Sequence, residues 1–165
     1  MRFFKYAPHH LKQSFKLLLL GGTGQGKTSF LNYLLNVENG VKSIKDIESC
    51  KKFNVKELEN QVGGSMASKT SDCSKYNLKI GEAKITIIDT PGFGDSRGMN
   101  KDDEHINKIC DFVLKEKGIN CIVIVQSGRE SRFTPSIKYN YARLISILPK
   151  EISNQIVIVY TNCNT

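Results

Sequence analysis

The sequence predicts an α/β protein, a three-layer sandwich whose sheet is mostly parallel with one antiparallel edge strand. Three observations carry that expectation. The apolar run Phe15–Leu20 leads through Gly21-Gly22-Thr23-Gly24-Gln25-Gly26-Lys27-Thr28 into the helical stretch Ser29–Asn36, in the order strand, glycine-rich loop, helix. A second β-branched run, Ile85-Thr86-Ile87-Ile88, ends in Asp89-Thr90-Pro91-Gly92. Beyond it, short apolar runs alternate with amphipathic helical stripes, the pattern of a sheet with helices on both faces.

The elements follow in order. Phe15–Leu20 shows no strict alternation, as expected of a central strand covered on both sides. Val37–Cys73 is polar and lysine-rich; Leu58, Val62 and Met66 share a helical spacing, but Gly63-Gly64 interrupts it, and the stretch reads as a long mobile segment. Tyr76–Ile80 and Lys84–Ile88 form a hairpin around Gly81-Glu82-Ala83. Gly94–Asn100 is a polar loop. Lys101–Lys117 is a helix with Ile106, Ile109, Cys110, Val113 and Leu114 on one stripe, and with Asp102, Asp103 and Glu104 favouring its N-terminus. Asn120–Val125 is a buried strand. Pro135–Leu148 is a helix opened by Thr134 as cap and Pro135 at the first position, its stripe being Ile137, Tyr141, Leu144, Ile145 and Leu148. Ile156–Tyr160 is the last strand. Ligands in such a sheet bind at the carboxyl ends of the strands, where all the motifs fall.

Size and composition set bounds. A chain of 165 residues, 39% hydrophobic and 24% charged, is one soluble globular domain with a sizeable core. No apolar run approaches the ~18 residues of a membrane-spanning helix. Phe15–Leu20 is too short for a secretory h-region, so no secretion signal is expected. The five cysteines are odd in number, widely spaced and without a C-x-x-C pair, which favours reduced thiols in a cytosolic compartment. A cytoplasmic location is expected, with peripheral attachment to a membrane as the alternative. The net charge of +8 comes from scattered lysines without an aromatic-basic stacking motif, which disfavours a nucleic-acid partner. Residues 1–14 form a basic, flexible head, and 15–165 the domain itself. His9, His10 and His105 have no metal-ligand spacing.

The loop Gly21–Thr28 fits G-x-x-x-x-G-K-[ST]. Its glycines let the backbone wrap a phosphate chain with N–H groups pointing inward, and the following helix adds its dipole. In that pattern Lys27 reaches the outer phosphates and the Thr28 hydroxyl ligates magnesium. Asp89, at the carboxyl end of a neighbouring strand, holds the same ion through water, and the Gly92 N–H can approach a γ-phosphate. Together the two motifs point to a nucleotide triphosphatase.

With both motifs in hand, the chain resembles the translation-factor-type GTPases, a P-loop NTPase sandwich of Ras-like architecture. More narrowly it is similar to the septin-like and immunity-associated branch (GIMAP, avrRpt2-induced), to which the chloroplast outer-envelope import-receptor GTPases also belong. Gly21–Thr28, Asp89-Thr90-Pro91-Gly92-Phe93-Gly94-Asp95 and Tyr160-Thr161-Asn162 carry the resemblance. It implies a GTP/GDP-binding switch or slow GTPase with Mg2+, regulated by a nucleotide-dependent homodimer or by an effector protein. It assigns nucleotide contacts to Gly22, Thr23, Gly24, Gln25, Gly26, Lys27, Thr28, Ser29, Gly92, Thr161, Asn162 and Asn164. Magnesium falls to Thr28, Asp89 and a switch threonine, for which Thr70 is the best match and Ser65, Ser68 and Ser71 are rivals. Lys27 and Thr70 are the expected catalytic residues.

The sequence departs from the family pattern in three places. Thr161-Asn162-Cys163-Asn164 stands where [NT]-K-x-D confers guanine specificity; an asparagine offers one acceptor where aspartate accepts two hydrogen bonds. That keeps a purine-nonspecific or ATP-binding NTPase open as an alternative. Phe93 follows Gly92 where many Ras-like enzymes place a water-orienting glutamine, with Asp95 and Arg97 nearby. A low intrinsic rate is therefore expected, and a non-hydrolysing, nucleotide-dependent interaction module is the further alternative. Finally, the chain stops at Thr165, so the expectation is a domain incomplete at its C-terminus, lacking the usual last strand and helix.

Overall fold

Leu18, Leu19 and Leu20 are all buried, and they alternate between two apolar cores on opposite faces of one sheet. In the computed structural model, which describes residues 14–42, 72–93, 99–116, 118–129, 135–146 and 150–163, the elements run β1 (Ser14–Leu20), α1 (Lys27–Glu38), β2 (Ser74–Ile80), β3 (Ala83–Asp89), α2 (Met99–Lys115), β4 (Cys121–Ser127), α3 (Pro135–Ser146), a 3-10 turn (Lys150–Gln155) and β5 (Ile156–Thr161). The sheet has five strands in the order β2-β3-β1-β4-β5. β1 pairs in parallel with β3 and β4, and β4 with β5; β2 pairs antiparallel with β3, Ile80 opposite Ala83. The predicted mostly parallel sheet with one antiparallel edge strand is thus the observed one.

α2 and α3 cover one face. There Ile106, Ile109 and Val113 of α2 and Ile137, Tyr141 and Leu144 of α3 meet Leu18, Leu20, Ile88, Ile122 and Ile124. α1 covers the other, Leu31 and Leu35 packing on Leu19, Leu78, Ile87, Val123 and Val125. Each such aliphatic side chain removed from water contributes about 1.5–3 kcal/mol, and this places the core around the central strands β3, β1 and β4. At the end of α2, Glu116 pairs with Lys16 of β1 at 2.8 Å and with Lys75 of β2, and the two ammonium groups hold its carboxyl below the usual range.

Several boundaries differ from the sequence reading. α1 begins at Lys27 rather than Ser29 because Gly26, at φ 94° and without a side-chain cap, turns the chain from the loop directly into the helix. α2 begins at Met99, inside the stretch expected to be loop, and ends at Lys115. Leu114 and Ile145, expected on the apolar stripes, are exposed, at 70% and 38%. Each follows the last inward residue of its stripe (Val113, Leu144) by one position, about 100° round the helix and away from the sheet. β4 runs two residues past Val125, because Gln126 and Ser127, polar in sequence, are buried beneath the glycine-rich loop. β5 likewise extends to Thr161. The 3-10 turn was not expected; it inserts Ile152 into the core. The cap Thr134, Leu148 and most of the predicted mobile segment and basic head lie outside the described residues.

Candidate phosphate-binding site

The glycine-rich loop leaves the carboxyl end of β1 and returns into α1, bounded by the ends of β3, β4 and β5. Lys27, the first residue of α1, is 8% exposed. Its Nζ folds back along the loop and donates to the carbonyls of Gly21 at 2.8 Å and Gly22 at 3.2 Å. Burial draws its pKa down to about 8, opposed by the negative charge of Asp89. A buried cation held by two neutral carbonyls beside a carboxylate is a strong attractor for a polyanion.

Asp89 ends β3 and is 2% exposed; one carboxylate oxygen accepts the Thr90 N–H at 3.0 Å. The Thr90 hydroxyl donates to the Leu19 carbonyl at 2.6 Å, so the Asp89 turn is fastened to β1 just before the loop. Thr28 is half-buried in the first turn of α1, and Ser29 beside it is exposed. A hydroxyl and a carboxylate are hard oxygen donors. Among the described residues no group of three His, Cys, Asp or Glu gathers to hold a metal unaided. The donor set suits Mg2+, which keeps waters and takes phosphate oxygens as its remaining ligands.

The other side of the loop is braced by the ends of β4 and β5. Gln25, 3% exposed, turns its side chain inward, and its Oε1 accepts the Ser127 N–H at 2.5 Å. Its main-chain carbonyl accepts the Thr161 hydroxyl at 2.6 Å. Thr161 stands so close to Gly26 that a Cβ there would meet the threonine side chain at 2.9–3.1 Å. With φ at 94°, that position is closed to other residues both sterically and conformationally. Thr161 thus reaches the candidate site through the loop. Asn162 adopts φ 51° and its Nδ2 lies 3.4 Å from the Ser127 Oγ. Gly24, at the loop's tip, is exposed.

The fourth wall is the chain after Asp89. Thr23 N–H donates to the Phe93 carbonyl at 3.0 Å, and Gly22 and Phe93 form an isolated parallel bridge. A Cβ on Gly92 would lie 2.7–2.9 Å from Thr23, so glycine is required for this approach. The Phe93 ring is fully buried and meets the Tyr141 ring edge-on, centroids 5.0 Å apart. Phe93 is a core residue and cannot orient water. The sequence signal for this was present, an aromatic directly after Gly92, but nothing local identified Tyr141 as its partner. The Gln25 side-chain contact and a hydrogen bond from His105 Nδ1 to the Gly92 carbonyl, at 2.8 Å, were also unforeseen. Thr70, Asn164, Ser65, Ser68, Ser71, Asp95 and Arg97 lie outside the described residues.

A profile of the AIG1 family matches residues 15–165, which take in this loop system and all of the sheet but its first residue, Ser14. The chain belongs to the AIG1 family. Membership accords with the septin-like and immunity-associated resemblance carried by the loop and the Asp89 turn. This AIG1-family chain is 30% identical over 149 residues to GTP-binding protein A of Dictyostelium discoideum, covering 90% of this chain and 28% of that protein. It is 27% identical over 156 residues to immune-associated nucleotide-binding protein 7 of Arabidopsis thaliana, covering 93% and 42%. With human Septin-8 it shares 29% identity over 100 residues, covering 61% and 17%. The chain therefore spans less than half the length of these relatives. Among solved structures, Toc33 from Arabidopsis thaliana in complex with GDP and Mg2+ aligns with a TM-score of 0.60 at 20% identity, over 90% of this chain and 50% of that one. Era in complex with MgGDPNP and a segment of 16S ribosomal RNA aligns with a TM-score of 0.55 at 15% identity, over 90% and 40%. At such identities the likeness establishes the fold, that of the P-loop GTPases. Among the described residues no helix is long and apolar enough to cross a membrane.

Proposed function

We propose that residues 15–165 form a guanine-nucleotide-binding domain acting as a GTP-dependent switch or slow GTPase. The observation that carries this reading is Lys27: a buried ammonium, turned onto the loop carbonyls beside Asp89, at the start of a helix whose first N–H groups face the same loop. In the complex, Lys27 binds the outer phosphates, the loop amides from Thr23 to Thr28 bind the inner ones, and Ser29 lies at the rim. Thr28, Asp89 and Thr70 are the proposed magnesium residues; a bound ion would supply positive charge beside the phosphate oxygens. Thr161, Asn162 and Asn164 border the base.

Hydrolysis is slow in this account, because Phe93 is committed to the core and supplies no group for water. Rate control therefore falls to a second copy of the chain or to an effector protein. Support for the first comes from the chloroplast translocon components atToc33 and psToc159, whose dimerization is important for their GTPase activity; a structure from that pair aligns here with a TM-score of 0.61. The protein is proposed to be cytoplasmic or peripheral to a membrane. Asn162, folded at positive φ toward Ser127 where the family lysine covers the base, favours a second reading, a purine-nonspecific or ATP-binding site.

Displacement of a fluorescent GDP analogue by unlabelled GTP, GDP, ATP and ADP in magnesium buffer separates the readings. Guanine nucleotides alone displace it on the proposed function. Equal displacement by adenine nucleotides supports the second reading, and no binding overturns both.

A further inference from the structure

We propose that His105 of α2 is a positioning residue for the γ-phosphate sensor, holding Gly92 in the orientation that lets the site distinguish triphosphate from diphosphate. The inference rests on the nucleotide reading above and extends it to a residue outside the motifs.

Residues 92 and 93 are tied down at three points. The Phe93 ring is locked in the core against Tyr141, and the Phe93 carbonyl is held by the Thr23 N–H at 3.0 Å. The third tie is the Gly92 carbonyl, which His105 Nδ1 reaches at 2.8 Å. A carbonyl only accepts, so Nδ1 is the protonated nitrogen in this contact. Glycine has the widest backbone freedom of any residue, and a loose Gly92 would sample many orientations of its N–H. On one side Gly92 is pressed against the Thr23 backbone, at a separation no Cβ tolerates. The Gly92 N–H lies on the preceding Pro91–Gly92 peptide, so His105, by fixing the Gly92–Phe93 peptide, restrains the N–H through the one α-carbon between them, whose close approach to Thr23 limits its φ and ψ.

His105 is half-buried, one residue before the fully buried Ile106, so its ring is carried on the part of α2 anchored in the core. The clamp therefore refers the position of Gly92 to a rigid element. A diphosphate leaves the Gly92 N–H unused and is indifferent to the clamp; a triphosphate needs it.

Two measurements test this on the full chain. The first compares affinities for GMPPNP and GDP, with magnesium, in wild type, His105→Leu and His105→Asn. His105→Leu is expected to weaken GMPPNP by roughly three- to tenfold, the worth of one positioned hydrogen bond, with GDP unchanged. His105→Asn, whose amide N–H takes the place of Nδ1–H, restores most of it. A ratio unchanged in His105→Leu, or equal weakening of both nucleotides, overturns the inference while the nucleotide reading stands. Wild type that binds neither nucleotide overturns that reading and the inference with it. The second measurement needs no nucleotide: nitrogen NMR of the His105 ring in alkaline buffer should show the Nδ1–H tautomer. The Nε2–H tautomer would leave Nδ1 unable to donate and overturn the clamp directly.

Discussion

The side chain of Gln25 crosses from the glycine-rich loop to the end of β4 and accepts the Ser127 N–H at 2.5 Å, joining residues 102 apart in sequence. Removing that side chain takes away the acceptor that the buried Ser127 N–H has in this structure. Gln25→Leu keeps the volume and deletes the acceptor, and it should cost about 1–3 kcal/mol through the orphaned N–H. Thermal unfolding reads the loss, and hydrogen exchange at Ser127 should quicken in step. An unchanged midpoint with an equally protected amide would show the contact to be energetically idle.

Phe93 illustrates how a side chain next to the chemistry can belong to the core. Phe93→Ala removes a fully buried ring and its edge-on contact with Tyr141, and should destabilise the fold by about 3–5 kcal/mol. Phe93→Gln, though it restores the residue common in Ras-like enzymes, places an amide in an apolar pocket. It should also lower stability and should not raise the hydrolysis rate. Faster turnover at undiminished stability would refute the assignment.

Cys73 and Cys163 should differ in reactivity. Burial, with the negative charges of Asp72 and Asp89, pushes the Cys73 thiol up to about 12, while Cys163 is exposed. The thiolate is the nucleophile, so a raised pKa means less of it at neutral pH. Limited alkylation followed by peptide mapping should find Cys163 modified well before Cys73; the reverse order would contradict the packing around Asp89.

The fold was legible where the signal is local. The loop Gly21–Thr28 lies between its strand and its helix within one continuous stretch, and the Asp89 turn closes the next strand, so spacing and residue type sufficed for both. The stripes of α2 and α3 located the helices but overran at Leu114 and Ile145, since hydrophobicity alone does not say where a stripe turns away from the sheet. The bracing of the loop was not legible. Gln25 meets Thr161 across 136 residues and Ser127 across 102, and Phe93 finds Tyr141, only once the strand order β3-β1-β4-β5 brings these ends together. Gln126 and Ser127 were hidden for the same reason: both are buried where β4 meets distant segments, the Ser127 N–H on Gln25 of the loop and the Gln126 carbonyl on Thr161 of β5.

The pH dependence of binding follows from Lys27. Its pKa in the free protein is drawn from 10.5 to about 8 by burial, so above that pH the group is mostly neutral. A polyphosphate favours the charged form and must restore the proton when it binds. Affinity should be full below about pH 8 and fall as pH rises through it, by up to about tenfold per unit. Lys27→Met should bind weakly with a flat profile over that range. A wild-type profile that is flat from neutral pH to pH ~10 would contradict the buried, depressed lysine.

All of this depends on the loop binding a nucleotide, and one titration reaches that directly: a fluorescent GDP analogue against wild type and Lys27→Ala, with magnesium and again with chelator. The expected result is saturable binding to wild type, weakened by the chelator and strongly weakened in Lys27→Ala, with the variant still unfolding cooperatively. Equal binding by both proteins, or by neither, would contradict it.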